Sequence, residues 1–471
     1  MRRRVLVHRV ENWVDPAAVF TELVADASGG FWLDSGIDSA TGVSYLGTSE
    51  RWVTASIEHG TVTEHPSGTT TLGTIFDTVS ASLSEPLDVE PDGADDLTGA
   101  FHLGWVGWFG YELHQQTMAT GLGQRSKHPD AALAWVDRVI VFDHAARAIR
   151  LLALGSAWEG DIAVWRDDTL AALERLPARL PARRSSDDAK PQGTRTALWA
   201  DTDAEYLSKI RACQEAIRDG DAYQLCLTTR CSIEGEFDAA SVYLDLRESS
   251  PTHHGAYLRI GEVCLLSASP EQFLSISPGR VIESKPIKGT RPRGRTTAED
   301  EALHEELLAS DKERAENLMI VDLMRNDLGR VCEVGSVSVP SLLAVESYAH
   351  VHQLVSTVRG ELRTDVTVMD AVASCFPAGS MTGAPKHSAV TILDSLEQRP
   401  RGIYSGAFGY VSLDGRVDLA MVIRSIVIDA DGATIGAGGG ITALSVPEEE
   451  LAEAKLKAAA LLAVLQIPLV E

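Results

Sequence analysis

Lys288 is the side chain whose setting most suggests chemistry, because it lies between Pro286 and Gly289. A glycine lets a substrate come close to the backbone beside the lysine. A partly desolvated lysine loses its proton more easily and can then act as a nucleophile or a base. The alternative is a lysine in a β-turn ahead of the basic loop from Arg291 to Arg295. This stretch alone leaves both interpretations open.

Two pairs of glutamates have a spacing that suits a metal site. Glu313 and Glu316 are three residues apart, as are Glu450 and Glu453, so each pair shares one face of a helix. Lys457 follows the second pair on the same face. An all-oxygen site suits Mg²⁺. No Glu-x-x-His motif accompanies these two pairs, which counts against a di-iron centre. Each pair alone is more typical of a solvated acidic face.

A glycine-rich run begins at Gly436 and includes Gly438, Gly439 and Gly440. It does not match G-x-G-x-x-G, and the run from Gly379 to Lys386 lacks the spacing of a P-loop. Both runs can still present backbone N–H groups to a carboxylate.

Caps, turn residues and apolar spacing predict the elements that hold these residues. Predicted helices cover about 203–218, 299–328 (with a capping box at Ser310 opening its second half), 368–375, 385–397, and a last helix from a capping box at Ser445 to about 465. Predicted strands cover 223–229, 256–260, 263–268, 273–276, 281–284, 406–412, 417–428 and 433–437. The region 1–175 alternates strand-like runs with turn signals, and the region 176–202 forms a linker ahead of a domain at 203–471.

Composition limits the classes of partner. The 471 residues carry a net charge of −25, from 42 basic and 67 acidic side chains. Such a surface repels nucleic acid and anionic membranes, so we expect neither as a partner. The six cysteines form no C-x-x-C motif and predict buried, reduced thiols. No apolar run is long enough to span a membrane and no signal peptide is visible, so we expect a cytoplasmic protein.

Taken together, six motifs resemble those of the chorismate-utilising enzymes, in the order in which that family has them. The match runs from about Asp203 to Leu465, and its motifs are Ala222–Thr228, Ser267–Glu271, Pro286–Thr290, Asp311–Asp327, Pro377–Lys386 and Gly436–Thr442. The resemblance implies an α+β fold in which two stacked antiparallel sheets are flanked by helices, with the site between them. It also implies that 203–471 binds chorismate and that the region 1–175 packs on the same sheets.

The resemblance also implies roles for individual residues. Lys288 would attack C2 of the chorismate ring while Glu271, as general acid, protonates the leaving C4 hydroxyl. Mg²⁺ on the ring carboxylate would be held by Glu316 and Glu453, with Glu313 and Glu450 nearby. The implied substrate contacts are Gln224, Gly289, Thr290, Thr382, Tyr404, Arg424, Gly438, Gly439, Gly440 and Lys457.

Within the family, the Lys288 motif resembles the aminodeoxychorismate synthase branch, component I. In that branch ammonia attacks C4, expels the lysine and gives 4-amino-4-deoxychorismate, the precursor of 4-aminobenzoate and folate. Anthranilate synthases usually carry alanine here. Isochorismate and salicylate synthases carry a lysine base where this chain has Gln224, and glutamine cannot take a proton from water. Two alternatives remain: anthranilate synthase component I, and a non-catalytic subunit that binds chorismate or tryptophan.

Three further expectations follow from the resemblance. A separate glutamine amidotransferase subunit would supply the ammonia. Gln353 stands where many relatives have histidine, and the adjacent His352 would point elsewhere if this stretch is a strand. Asp34 and Ser35 end a stretch similar to the family's tryptophan pocket, and a plain core strand and turn is the alternative.

Overall fold

The computed structural model describes residues 3–37, 39–83, 87–89, 101–121, 123–179, 195–348 and 351–468. Most of the predicted linker at 176–202 therefore lies outside the described residues. The strands are β1 (Arg3–Val10), β2 (Gly30–Asp34), β3 (Val43–Thr48), β4 (Trp52–Ser56), β5 (Thr61–His65), β6 (Thr70–Leu72), β7 (Leu87–Val89), β8 (Gly104–Phe109), β9 (Ala131–Val136), β10 (Arg138–Asp143), β11 (Ala148–Leu154), β12 (Leu198–Trp199), β13 (Gln224–Glu234), β14 (His254–Ile260), β15 (Val263–Ser269), β16 (Gln272–Ile276), β17 (Val281–Ser284), β18 (Ile287–Pro292), β19 (Ser338–Ser347), β20 (Val351–Glu361), β21 (Gly383–Ala384), β22 (Ala407–Ser412), β23 (Val417–Met421), β24 (Ser425–Asp429) and β25 (Gly432–Ile441).

These strands form two large sheets. In the first sheet the order is β12-β13-β25-β24-β15-β14-β2-β3-β10-β11-β1-β7, with β21 beside β13. In the second it is β18-β20-β17-β16-β23-β22-β8-β9-β4-β5-β6, with β19 beside β20. The pairs are antiparallel except for β1 with β7. The α+β fold of two antiparallel sheets with flanking helices is confirmed, with that one parallel pair as a local exception.

Strands from the region 1–175 share both sheets with later strands. In the first sheet β2 pairs with β14, and in the second β8 pairs with β22. The boundaries proposed at 175 and 203 stay predictions.

Helices cover the sheets. They are α1 (Pro16–Leu23), α2 (Ile75–Ser82), α3 (His114–Thr117), α4 (Gly160–Leu173), α5 (Asp203–Arg218), α6 (Ala239–Ser249), α7 (Thr297–Ala309), α8 (Asp311–Gly329), α9 (Val368–Cys375), α10 (Lys386–Glu397) and α11 (Pro447–Val464). One core cluster joins residues of both sheets, among them Leu33, Trp108, Leu258 and Phe408. Two further clusters lie under helices, one including Phe20, Leu246 and Leu461 and the other Ile320, Met324 and Val372. The six cysteines are free and buried.

Four local predictions need correction. The region 1–175 contains helices α1, α2 and α4 besides strands; α1 begins where the Asp15 side chain accepts from the Ala17 N–H. Pro385 is the N-cap of α10 rather than part of it. The predicted capping box at Ser445 is wrong, because this hydroxyl donates to Glu450 and α11 has no side-chain N-cap. The predicted strand 417–428 is two strands that lie in different sheets.

The break between β23 and β24 is one of two adjacent crossings between the sheets. Arg424 lies in it with φ of +50°, a conformation that few side-chain-bearing residues adopt. The other crossing, from β15 to β16, contains Glu271. The Met421 N–H donates to the Glu271 carbonyl at 3.0 Å, and the Ala268 N–H donates to the Arg424 carbonyl at 3.1 Å. The fold thus places Glu271 and Arg424 side by side.

Candidate active site

A cavity of about 400 Å³ lies beside these crossings and is lined by residues of both sheets and of helices α8 and α11. Of the residues predicted for the site, those that line it are Glu271, Lys288, Gly289, Thr290, Glu313, Glu316, Tyr404, Arg424, Gly438, Gly439, Gly440, Glu450, Glu453 and Lys457. Separate stretches of chain supply them, so only the fold brings them together.

Lys288 lies in β18, beside a tight approach between that strand and helix α8. Gly289 has φ of +82°, and a Cβ added there would lie 2.7 Å from Leu307 Cδ1 and 2.9 Å from Glu313 Cδ. The positive φ favours glycine, and an added Cβ would displace the ends of the Leu307 and Glu313 side chains. This approach holds the lysine-bearing strand against the first glutamate pair.

Glu271 is a buried carboxyl, 8% exposed. Burial raises its pKa, while the charge of Lys288, the Ser380 hydroxyl and the Ile287 N–H oppose that rise. A carboxyl with a raised pKa keeps its proton to higher pH and can deliver it to a leaving group.

The four predicted glutamates lie in different electrostatic settings. Burial raises the pKa of Glu316, and the nearby carboxylates of Glu313 and Glu450 raise it further. The positive charges of Lys288 and Lys312 oppose this rise. Burial would also raise the pKa of Glu453, but the charge and hydrogen bond of Lys457 outweigh it and the net shift is downward. Glu450 accepts from Ser445 Oγ at 2.7 Å and from Lys312 Nζ at 3.2 Å.

The donor set fits a hard divalent cation held by few protein ligands. No group of three or more His, Cys, Asp or Glu side chains is arranged to hold a metal ion within the described ranges. Mg²⁺ commonly uses only one or two carboxylates and keeps several waters. The carboxylates of Glu313 and Glu450 repel that of Glu316. A bound divalent cation would offset this repulsion.

Positive side chains and backbone groups occupy the rest of the cavity. Lys457 Nζ donates to the Gly438 carbonyl and pairs with Glu453 Oε1, each at 2.8 Å. The Arg424 guanidinium is solvent-exposed within the cavity. The Tyr404 ring packs on Gly436, where a Cβ would lie 2.2 Å from the ring. Together they can hold an anionic ligand with an apolar ring.

Two predicted substrate contacts lie outside the lining. Thr382 is fully buried and its hydroxyl donates to the carbonyls of Ala378 and Gly379. Gln224 lies directly behind Gly440, because a Cβ on Gly440 would be 2.2 Å from its Nε2. Its buried Oε1 has no partner among the residues described. For both, contact with substrate stays a prediction.

The predicted tryptophan pocket lies elsewhere. Asp34 pairs with Arg247 Nε at 2.5 Å and accepts from the Gly36 N–H, while Ser35 Oγ donates to the Val43 carbonyl. Both residues line a cavity of about 60 Å³, and Ser35 also lines a separate cleft of about 400 Å³. Both side chains have protein partners, and tryptophan binding stays a prediction.

Several lining residues were not anticipated from the sequence: Pro270, Ile287, Arg291, Lys312, Gln353 and Ser380. Arg291, Ile287 and Pro270 adjoin predicted residues, but nothing in their spacing indicates which side chain faces the cavity. His352 does point away from it, since Nδ1 meets Ser347 Oγ at 2.8 Å and Nε2 meets Asp300 Oδ1 at 2.9 Å.

Comparisons with known proteins agree with this arrangement. A family model described as chorismate binding enzyme matches residues 44–463. Over 98% of its length the chain is 41% identical to an aminodeoxychorismate synthase of Streptomyces pristinaespiralis, but spans only 65% of that relative. It is 35% identical to anthranilate synthase component 1 of Haloferax volcanii, covering 96% of this chain and 91% of that one.

The fold is shared as well. The structure of anthranilate synthase component I from Streptococcus pneumoniae superposes with a TM-score of 0.75 at 25% identity, over 96% of this chain and all of the other. Within the described residues, no helix is long and apolar enough to cross a membrane. The family match, the relatives and the shared fold together place this chain in the chorismate-binding enzyme family.

Proposed function

We propose that the chain is the chorismate-aminating component of an aminodeoxychorismate synthase. The observation that carries the proposal is that Lys288 and the buried carboxyl of Glu271 line one cavity, with two glutamate pairs lining it as well. The 41% identity to a synthase of that name supports the same activity.

In the first step the Lys288 amine attacks C2 of chorismate and the C4 hydroxyl leaves as water. Glu271 gives the proton that the hydroxyl needs, and burial, which raises its pKa, favours the protonated form. The Lys288–C2 bond replaces the C4–O bond, so one difficult displacement becomes two easier ones.

The substrate would be held by its carboxylates. Arg424, Lys457 and the backbone of Gly438–Gly440 bind one end, and Tyr404 packs beside the ring. Glu316 and Glu453 would hold Mg²⁺, with Glu313 and Glu450 beside it, and the ion supplies charge neutralisation for the ring carboxylate.

In the second step ammonia attacks C4 and the Lys288–C2 bond breaks. The lysine leaves as a neutral amine and the product carries the new ammonium group. A glutamine amidotransferase partner would supply the ammonia. Gln224 cannot remove a proton from water, which favours amination over hydration.

Product analysis tests the proposal. Purified protein with chorismate, Mg²⁺ and ammonium should form 4-amino-4-deoxychorismate, and Lys288→Ala should not, whereas a matched change at the exposed Lys455 should leave turnover unchanged. Anthranilate as the product would mean that Lys288 does not set product identity. Binding of chorismate without turnover, also with a glutaminase present, would favour the non-catalytic subunit.

Metal dependence is a separate test. Chelation by EDTA should stop turnover, and added Mg²⁺ should restore it. Turnover that survives chelation would contradict the assigned role of Glu316 and Glu453.

A further inference from the structure

Asn317 is a fully buried amide that directly follows Glu316 in helix α8 and does not line the candidate active-site cavity. Its Nδ2 donates to the Pro286 carbonyl at 3.3 Å and to the Leu354 carbonyl at 3.4 Å. Its Oδ1 accepts from Ser356 Oγ at 2.5 Å. These three hydrogen bonds join the helix that carries the first glutamate pair to β20 and to the residue before β18.

The peptide group between Pro286 and Ile287 is bonded on both sides. Its carbonyl accepts from Asn317 Nδ2 and also from the Ser356 N–H, the latter at 3.2 Å. Its N–H, that of Ile287, donates to the Glu271 carboxyl. Because a peptide group is planar and rigid, bonds that fix the carbonyl also fix the direction of the N–H. The Asn317 amide therefore helps to aim the donor that holds Glu271.

Ser356 determines which way round the Asn317 amide lies. The Ser356 hydroxyl donates to Asn317 Oδ1 and accepts from the Leu343 N–H at 2.9 Å. The amide NH₂ is then left to face the carbonyls of Pro286 and Leu354, which can only accept. Ser356 and Asn317 are both fully buried, so solvent does not offer either of them a substitute partner.

The bonds on the carbonyl also strengthen the N–H on the other side. A hydrogen bond accepted by a peptide carbonyl polarises the group and makes its N–H a better donor. Burial raises the pKa of Glu271, and the charge of Lys288, the Ile287 N–H and the charge of Lys457 oppose that rise. Loss of the Asn317 bond should therefore move the pKa of Glu271 further upward.

We propose that Asn317 is a positioning residue for the first chemical step and that it acts by orienting Glu271 through the Pro286–Ile287 peptide. This rests on the proposed function, in which Glu271 protonates the departing C4 hydroxyl. Asn317 itself touches neither the substrate nor the reacting atoms. A displacement of about 1 Å at a reacting group can cost about 10²-fold in rate, so one buried amide can matter to turnover.

A double-mutant cycle in the full-length protein separates positioning from simple stabilisation of the fold. Asn317→Leu keeps a similar volume and removes the three bonds. It should lower kcat for 4-amino-4-deoxychorismate about tenfold or more, with the KM for chorismate nearly unchanged. In the Glu271→Gln protein the same change should lower kcat less than about twofold, because the acid that Asn317 orients is gone. The decrease in rate with rising pH should also move to higher pH in Asn317→Leu.

Ser356→Ala serves if Asn317→Leu does not fold. It leaves Asn317 in place but frees the amide to turn, so it should lower kcat about threefold or more, again only while Glu271 is present. Ser412→Ala is the matched control, because Ser412 is also fully buried, accepts from the His102 N–H at 3.0 Å and does not line the cavity. It should lose a similar amount of unfolding free energy and keep the wild-type kcat.

Two outcomes would count against the proposal in different ways. An unchanged kcat in Asn317→Leu, or the same fold-loss with and without Glu271, would overturn the positioning role alone. A Glu271→Gln protein with the wild-type kcat would overturn the proposed acid, and the positioning role with it.

Discussion

At the scale of single residues, Lys288 and Glu271 have different proposed roles: Lys288 is the nucleophile and Glu271 is the general acid. Both line one cavity, but their surroundings differ: Glu271 is buried, whereas Lys288 lies in a half-exposed strand beside several carboxylates. Burial favours the neutral form of a carboxyl. Burial therefore favours the proton-donor role that we propose for Glu271.

Replacing that donor should stop proton delivery without preventing binding. We expect Glu271→Gln to lower kcat about 10²- to 10⁴-fold, the usual contribution of a positioned general acid, with the KM for chorismate nearly unchanged. Steady-state kinetics check this. The wild-type rate should also fall as pH rises through the pKa of the acid. The rate of the Glu271→Gln protein should not show this decrease. An unchanged kcat would show that another group protonates the hydroxyl.

Residue types and spacing singled out Lys288, the glutamate pairs and the glycine run, and the resemblance added Glu271, Tyr404 and Arg424. Neither predicted that Thr382 is buried or that Gln224 lies outside the lining. Thr382 follows a 3-10 turn over Gly379–Met381, and its hydroxyl bonds back to that turn. Gln224 Nε2 fills the space that a Cβ on Gly440 would occupy. Both outcomes depend on a local contact that no periodicity in the sequence reports.

At the scale of elements, the two capping boxes show why a local motif can succeed or fail. Ser310 caps α8, because its hydroxyl accepts from the Glu313 N–H as the spacing predicted. Ser445 has the same spacing, but its hydroxyl bonds Glu450 one turn into α11. There the hydroxyl donates to the buried carboxylate, while its oxygen accepts from the Thr442 N–H at 3.1 Å and caps no N–H of the helix. Helices α8 and α11, which carry the glutamate pairs, were predicted, whereas α1, α2, α4 and α6 were not. The group that a capping side chain would bond was not predictable from spacing alone.

The contact between β18 and α8 gives a prediction at this scale. Gly289→Ala should cost about 1–2 kcal/mol for the left-handed backbone alone. The added Cβ would also push Lys288 and Glu313 apart, and a displacement of about 1 Å can cost about 10²-fold in rate. Urea unfolding and kcat/KM measure the two effects.

The matched control is Gly220→Ala. Gly220 has φ of +87° but nothing within 4 Å of an added Cβ, and it lies outside the cavity. The Gly220→Ala protein should lose a similar amount of unfolding free energy and keep full activity. Equal activity losses in the two variants would contradict the positioning role of Gly289.

At the scale of the whole molecule, the region 1–175 and the later chain are parts of the same sheets. The Glu112 carboxylate joins them, accepting from the N–H groups of Arg401 and Gly402 at 2.7 and 3.0 Å. The sequence predicted the two sheets through the resemblance. It could not give the strand order, because pairs such as β2 with β14 join residues more than 200 positions apart.

Glu112 also predicts how stability depends on pH. Burial raises its pKa from 4.5 to about 7 in the folded state. Its contribution is therefore complete below pH 4.5 and is lost as pH rises through 7. The glutamine of Glu112→Gln does not titrate. The unfolding free energy of the variant minus that of wild type should therefore increase by about 3 kcal/mol between pH 4.5 and pH values above 7. Urea unfolding between pH 4 and 8 measures it. A difference that does not change with pH would contradict the raised pKa.

Peptide mapping of the protein, quenched after incubation with chorismate and Mg²⁺ in the absence of ammonia, shows directly whether Lys288 forms the covalent intermediate. The account predicts one modified peptide, carrying Lys288 and heavier by the mass of chorismate less one water. It also predicts that ammonium removes the modification and releases 4-amino-4-deoxychorismate. Product formation with no adduct, or an adduct on Lys457 instead, would contradict the account.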